Sequence, residues 1–160
     1  MSKTILALAV LAVAAVAAGS AGAAAKGGTS VTLHKTSLGK VLATSSGMTL
    51  YMFAADGRGK SNCYGSCATY WPPLLTKGKP LAGAGLKKSL VGVAVRKDGK
   101  RQVTYAGHPL YRFALDKKSG DTSGQNLTDF GGRWSVLNAA GKTAGSSAGA
   151  ASGGGGGNGY

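Results

Sequence analysis

Short apolar runs separated by turn residues recur along the middle of the chain, from about residue 30 to residue 138. The runs have the length and β-branched composition of strands, and Gly, Ser, Lys and Asp separate them. Examples are Val31–Leu33 and Val41–Thr44. The pair Asp98-Gly99 separates Val91–Arg96 from Arg101–Tyr105 and predicts a hairpin turn. Because no long helical pattern follows residue 25, the chain is predicted to be all-β.

One ten-residue pattern occurs twice, as GMTLYMFAAD at residues 47–56 and as GHPLYRFALD at residues 107–116. The two segments align without a gap, and a tryptophan, Trp71 or Trp134, follows each of them. Such self-similarity indicates duplication of one structural unit. Because each unit is too small to bury its own aromatic side chains, we expect the two copies to share a core. The predicted fold is a small domain of two tandem sheet-forming repeats, packed in a sandwich- or barrel-like manner.

The alternation of side chains within each copy predicts which of them face the core, because neighbouring residues of a strand point to opposite faces. The predicted core-facing aromatic residues are Tyr51, Phe53, Tyr111 and Phe113, closed off by Trp71 and Trp134. The opposite face carries Leu50 and Met52 in the first copy and Leu110 and Arg112 in the second. We expect Met52 and Arg112 to be the more exposed side chains of the motif.

Each copy of the motif ends with an aspartate, Asp56 or Asp116, just past the predicted strand. A short carboxylate in this position can accept backbone N–H bonds and fix a turn. The six repeated residues are therefore the candidate site, with an unknown role: Tyr51, Phe53, Asp56, Tyr111, Phe113 and Asp116.

The two ends of the chain differ in composition from its middle. Residues 1–25 carry Lys3, an apolar run to Ala18 and then small residues, which is the order of a secretory signal peptide. The run is short and Ala-rich for a membrane span, so we expect export with cleavage after Ala23 or Ala25. We predict a first repeat with its linker over residues 26–90 and a second repeat over residues 91–138. Residues 139–160 are rich in Gly, Ala and Ser and are predicted to form a disordered tail.

Cys63 and Cys67 occur only in the first copy. In an oxidising compartment such a pair is expected to form a disulfide. Three alternatives have less support. A redox-active dithiol is more often C-x-x-C near a βαβ pattern, which is missing here. A zinc site needs about four ligands, and His34 and His108 show no ligand spacing, while covalent c-type haem needs C-x-x-C-H, which is also missing.

The chain is strongly basic, with 19 Lys and Arg against five Asp and a net charge of +14. A field of this sign attracts polyanions, which for an exported protein are anionic envelope polymers or lipid headgroups. The bases are spread along the chain without a nucleic-acid motif, so we expect no specific nucleic-acid partner. We expect a secreted or extracytoplasmic protein, in the periplasm or at the cell surface, that does not span a membrane after cleavage. No cysteine lies near the cleavage region, which argues against a lipid anchor.

The segments YMFAAD and YRFALD both fit Y-x-[FWY]-x-x-D, and Cys63 to Leu74 read C-x-x-x-C-A-x-x-W-P-P-L. Over about residues 31–138 the chain resembles the bacterial secreted repeat of unknown function, whose members are often labelled predicted lipoproteins. It departs from that label because it has no lipobox cysteine, and its second copy lacks the Cys pair and Trp-Pro-Pro. The resemblance implies an exported tandem-repeat domain and no established reaction.

The acid–base groups of the sequence are few, with no Glu, two His and Asp residues mostly at predicted turns. No Ser/His/Asp or Cys/His signature is visible. We therefore predict a non-enzymatic structural or ligand-binding module of the bacterial envelope or exterior, with no catalytic residue, metal or cofactor. An alternative is a metal or haem binder in envelope redox chemistry, because Met48 and His108 hold equivalent repeat positions. A thiol–disulfide enzyme that uses Cys63 and Cys67 is a further hypothesis.

Overall fold

The computed structural model of the protein describes residues 28–145, so the predicted signal peptide lies outside the described residues. Its strands are β1 (Ser30–Thr36), β2 (Gly39–Thr44), β3 (Tyr51–Phe53), β4 (Leu81–Ala82), β5 (Val91–Val95), β6 (Arg101–Tyr105), β7 (His108–Pro109), β8 (Thr128–Asp129) and β9 (Gly132–Val136). One turn of α-helix, α1 (Ser66–Tyr70), precedes β4, and one turn of 3-10 helix (Lys88–Leu90) precedes β5. In this part of the chain no helix is long and apolar enough to cross a membrane.

Each repeat opens with an antiparallel hairpin, β1–β2 in the first copy and β5–β6 in the second. The predicted turn between β5 and β6 is present. Gly99 adopts a φ of 76°, and the carboxylate of Asp98 accepts the N–H of Lys100. Strand β4 adds to the first hairpin in parallel with β1, and β7 adds to the second next to β6.

The third sheet draws its strands from both repeats, in the order β3-β9-β8. Strand β3 of the first copy pairs with β9 of the second, so that Tyr51 lies opposite Val136 and Phe53 opposite Trp134. Each copy therefore completes a sheet with the other instead of folding as a separate unit. This arrangement confirms the predicted all-β domain of two repeats, and within residues 28–145 the sheets do not close into a barrel.

Two apolar clusters fill the space between the sheets. The aromatic cluster contains Val41, Tyr51, Phe53, Cys63, Cys67, Trp71, Tyr111, Phe113, Trp134, Val136 and Ala144. The aliphatic cluster contains Val31, Leu42, Leu50, Leu74, Val103, Tyr105, Leu110 and Leu137. The repeated motifs, as the strand β3 in the first copy and as bridged extended chain around Tyr111 in the second, lie between them, so Leu50 and Leu110, on the face opposite the aromatic residues, are also fully buried. Met52 is half-buried and Arg112 is exposed on that same side of the motif.

The segment around the cysteines contains the helix α1, which the sequence did not predict. After it, Trp71 is fully buried and the chain runs extended through the two prolines. There it pairs with the second copy, because Pro73 bridges Tyr111 and the N–H of Arg112 donates to the carbonyl of Pro72 at 2.9 Å. The Trp-Pro-Pro stretch is therefore part of the contact between repeats.

The chain remains paired with the domain beyond the predicted tail boundary at residue 139, up to residue 144. The N–H of Asn138 donates to Lys142, and the N–H of Ala144 donates to Val136 at 2.9 Å. The Ala144 side chain is buried in the aromatic cluster. The tail prediction rested on Gly, Ala and Ser content, but a single small side chain can fill a gap between larger ones. Residues 146–160 lie outside the described part of the chain.

Candidate functional site

The two copies of the motif meet at Tyr51 and Tyr111, which face each other as an antiparallel bridge. The N–H of Tyr51 donates to the carbonyl of Tyr111 at 2.8 Å, and the N–H of Tyr111 donates back to Tyr51 at 3.0 Å. Equivalent residues of a duplication that exchange both of their backbone bonds define a local pseudo-twofold relationship. The remaining motif residues follow the same symmetry.

The tyrosine of each copy is hydrogen-bonded to the aspartate of the other copy. The Tyr51 hydroxyl donates to Oδ2 of Asp116 at 2.6 Å, and the Tyr111 hydroxyl donates to Oδ2 of Asp56 at 2.7 Å. Hydrogen bonds to an ionised carboxylate are shorter and stronger than those between neutral groups. The Y-x-F-x-x-D pattern thus supplies each repeat with one donor and one acceptor for its counterpart.

The second oxygen of each aspartate fixes the loop that follows it. Oδ1 of Asp56 accepts the N–H of Asn62 at 2.7 Å, and Oδ1 of Asp116 accepts the N–H of Ser123 at 3.0 Å. These bonds are the turn-fixing role expected for a short carboxylate. Each aspartate therefore joins its own loop to the tyrosine of the opposite repeat.

The motif phenylalanines and the two tryptophans form one continuous stack. The ring centroids of Phe53 and Trp134 are 4.2 Å apart, those of Trp134 and Trp71 are 3.8 Å apart, and those of Trp71 and Phe113 are 4.3 Å apart. The two indole planes are parallel within 1°. Each phenylalanine again contacts the tryptophan of the opposite copy. Neither indole N–H has an acceptor among residues 28–145, a cost that the burial of the stack must offset.

A buried arginine extends the second Tyr–Asp pair. The Arg96 guanidinium donates to the Ser61 hydroxyl and to the Gln102 side chain, each at 2.7 Å, and also to the carbonyl of Cys63. Ser61 lies 2.7 Å from the Tyr111 hydroxyl, whose single proton is committed to Asp56. The chain of donors therefore runs from Arg96 through Ser61 and Tyr111 to the carboxylate, and links a buried cation to an anion.

The first Tyr–Asp pair lacks this extension. In the place of a serine hydroxyl, the Tyr51 oxygen receives the backbone N–H of Gly124 at 3.3 Å. The position equivalent to Arg96 is Thr36 at the end of β1, whose hydroxyl bonds within its own turn among residues 28–145. The two halves of the site are thus alike in the motif and different around it.

The surroundings of the motif shift the pKa values of its tyrosines and of Asp56. Burial raises the pKa of Asp56 to about 6, although the Asn62 amide, the Tyr111 hydroxyl and Arg96 act in the opposite direction. Burial, together with the bond to Asp116, raises the pKa of Tyr51 far above its usual value. Burial likewise raises the pKa of Tyr111. Both hydroxyls therefore remain protonated donors and are poor candidates for a base or a nucleophile.

Cys63 and Cys67 form a disulfide with a Cα–Cα distance of 5.3 Å. Both residues are buried, and Cys67 lies in α1. The guanidinium of Arg96 holds the Cys63 carbonyl and also lies 4.4 Å from the ring centroid of Tyr64. The disulfide thus belongs to the framework around the buried arginine.

The structure describes no contact between Met48 and His108, the residues considered for a metal or haem site. The Met48 carbonyl accepts the N–H of Thr44 in a turn, and His108 lies in β7 opposite Tyr105. Partial burial and the nearby Arg58 hold the pKa of His108 below its usual value. Within residues 28–145 no three His, Cys, Asp or Glu side chains are grouped so that they could hold a metal ion.

The sequence did not single out Ser61, Arg96 or Gln102. Their burial is the signal that distinguishes them, and it follows from long-range packing. Gln102 could have been noticed as a polar residue within a predicted strand, but alternation shows only that it points to the face opposite apolar Val103. Arg96 resembled the other bases that flank predicted turns.

The family comparison matches the two repeats. The model of the family described as a secreted repeat of unknown function covers residues 32–75 and 92–138, which together exceed half of the chain. No curated protein and no solved structure matches the chain. Both matched segments include a complete Y-x-F-x-x-D motif, whose tyrosine and aspartate bond to those of the other segment. The chain therefore belongs to the family of secreted repeats of unknown function.

Proposed function

We propose that this protein is a non-enzymatic module of the bacterial envelope or exterior, which binds phosphate-bearing anions through its basic surface. The observation that carries this proposal is the unequal use of charge. Four of the five aspartates are bonded to groups of the domain itself, and two of them, Asp56 and Asp116, are at least partly buried, whereas every Lys and Arg of residues 28–145 except Arg96 is exposed. The net positive field is thus directed outward and is available to an external polyanion.

Four of the five carboxylates have partners within the domain, and the fifth, Asp129, is exposed in β8. Asp56 and Asp116 are bonded to the tyrosines of the opposite repeats. Asp121 accepts the backbone N–H groups of Lys117 and Lys118, each at 2.8 Å. Only Asp98 forms ion pairs with side chains in the described range, at 3.6 Å to Arg96 and 3.5 Å to Lys100.

The non-enzymatic part of the proposal is supported by the state of the motif. Its tyrosine hydroxyls and aspartate carboxylates are bonded to each other, and its rings are stacked in the core. A catalytic group needs access to a substrate and a pKa suited to proton transfer. The motif is better suited to holding two repeats together.

Attachment by charge is proposed in preference to a lipid anchor. The sequence has two cysteines, and both are in the disulfide, so neither offers a free thiol for acylation. Salt-sensitive binding at the envelope would hold the protein without a covalent link.

The experiment is co-sedimentation of the purified protein with vesicles of phosphatidylglycerol and phosphatidylcholine, and with vesicles of phosphatidylcholine alone, over a range of NaCl concentrations. We expect binding only to the anionic vesicles, and binding that weakens steadily as salt screens the charges. Equal binding to both vesicle types, or none to either, would reject the proposal.

A further inference from the structure

A cavity of about 520 Å³ lies beside the start of β6. Its lining consists of Thr29, Leu75, Thr76, Lys77, Lys100 and Arg101. Its volume falls within the range of sites that bind small molecules. None of the lining residues that the structure describes is acidic.

The cavity wall is fixed by hydrogen bonds between three chain segments. The N–H of Thr29 donates to Oγ1 of Thr76 at 3.2 Å, and its hydroxyl donates to the Leu75 carbonyl at 2.7 Å. The N–H of Thr76 donates to the carbonyl of Arg101 at 2.9 Å, and its hydroxyl donates to Gly78. Both threonine hydroxyls are thus already committed as donors, so the remaining ionic binding capacity belongs to the three basic side chains.

Two of these bases carry charge that no side chain of the described range neutralises. Lys77 and Arg101 are exposed and form no ion pair within residues 28–145, whereas Lys100 lies 3.5 Å from Asp98. Leu75, 38% exposed, adds an apolar surface beside them. An occupant must therefore offer an anionic group and an alkyl group within one small molecule.

We propose that this cavity binds an alkyl phosphate, with the phosphate between Lys77 and Arg101 and the first methylene groups against Leu75. Arginine pairs with phosphate through two parallel N–H bonds, and lysine acts as a point charge. The alkyl part gains free energy by covering exposed apolar surface. This site deepens the proposed function, on which it rests, because an alkyl phosphate is the chemistry that a phospholipid presents at its headgroup.

The test uses octyl phosphate as the probe and isothermal titration calorimetry as the measurement, with inorganic phosphate and octanol as separate titrants. The test variant is Lys77→Gln/Arg101→Gln. The matched control is Lys87→Gln/Lys88→Gln, which removes the same charge from two exposed lysines that do not line the cavity. Side-chain changes at Lys77 and Arg101 leave the backbone bond between Thr76 and Arg101 in place.

We expect saturable binding of octyl phosphate at one site, at least ten-fold weaker binding to the test variant, and less than two-fold change for the control. Inorganic phosphate or octanol alone should bind at least ten-fold more weakly than octyl phosphate. Equal losses in the two variants, or equal affinity for octyl phosphate and inorganic phosphate, would overturn the proposed site. This titration needs no bilayer, so its failure is distinguishable from the absence of vesicle binding that would reject the proposed function.

Discussion

The Tyr51 hydroxyl of the first repeat donates to the Asp116 carboxylate of the second repeat at 2.6 Å, across 65 positions of the chain. Tyr111 and Asp56 form the reciprocal bond at 2.7 Å. The repeated motif is therefore an inter-repeat contact made twice. A duplicated sequence needs both a tyrosine and an aspartate in each copy because each copy serves once as donor and once as acceptor.

Removal of one hydroxyl should destabilise the domain without changing its shape. In Tyr51→Phe the buried Asp116 carboxylate loses its side-chain donor and keeps the Ser123 amide. Loss of a hydrogen bond to a charged group costs about 1.5–3 kcal/mol. Chemical denaturation should show a decrease of that size in the free energy of unfolding, with an unchanged m-value.

The matched control is Tyr70→Phe, because Tyr70 is 51% exposed and its hydroxyl has no partner among residues 28–145. Its effect should stay within about 0.5 kcal/mol, as for most surface substitutions. If the two variants lost the same stability, the Tyr51–Asp116 bond would not be a significant contact.

The stacked tryptophans predict a spectroscopic signature. Two parallel indoles 3.8 Å apart couple their electronic transitions, and the sequence contains just these two tryptophans. The folded protein should therefore show an exciton couplet in its circular dichroism spectrum. Trp71→Phe and Trp134→Phe should each abolish the couplet while an aromatic ring remains in the stack. A couplet that survives either substitution would contradict the observed stack.

The raised pKa of Asp56 predicts how stability depends on pH. The unfolded carboxyl has a pKa of about 3.9 and the folded one a pKa of about 6. Between these values the folded state holds more protons, so the stability that this group contributes is complete below about pH 4 and is lost as pH rises through 6. Urea denaturation should show a smaller decrease over this interval in Asp56→Asn than in the original protein.

The difference between the pH profiles of the original protein and of Asp56→Asn reports the titration of Asp56 separately from that of the other carboxyls. The backbone amides of Lys118 and Lys117 hold the pKa of Asp121 below its usual value. Its contribution to stability is therefore lost as pH falls below about 3.9, which is outside the interval. Parallel pH profiles for the two proteins between pH 4 and 6 would contradict the assigned environment of Asp56.

The disulfide should stabilise the domain by a modest amount. The loop between Cys63 and Cys67 is so short that chain entropy accounts for about 2 kcal/mol. A reducing agent in the denaturation experiment should lower the stability of the original protein by about that amount. The variant Cys63→Ala/Cys67→Ala should not respond to the same reagent. A response in the variant would show that the reductant acts elsewhere.

Much of the local structure could be read from the sequence because it depends on neighbouring residues. Alternation placed Tyr51 and Phe53 on one face of a strand, and the Asp98-Gly99 pair marked a hairpin. The prediction that the two copies share one core also followed from the small size of each copy. These inferences require only the period of a strand and the chemistry of a turn.

The contacts between residues of different repeats could not be predicted from the sequence in the same way. The sequence is as compatible with a bond from Tyr51 to Asp56 of its own copy as with one to Asp116. The choice depends on the antiparallel bridge between Tyr51 and Tyr111, a contact between distant segments. The burial of Arg96 and of Ala144 depends on the same long-range packing, which no local pattern encodes.

The central claim, that the repeated tyrosines and aspartates bind each other across the two copies, is tested most directly by double-mutant cycles of unfolding. One cycle combines Tyr51→Phe with Asp116→Asn, and the comparison cycle combines Tyr51→Phe with Asp56→Asn in the same copy. We expect a coupling free energy of about 1–3 kcal/mol in the first cycle and a value within about 0.5 kcal/mol of zero in the second. Larger coupling within the copy than across the copies would contradict the reciprocal arrangement.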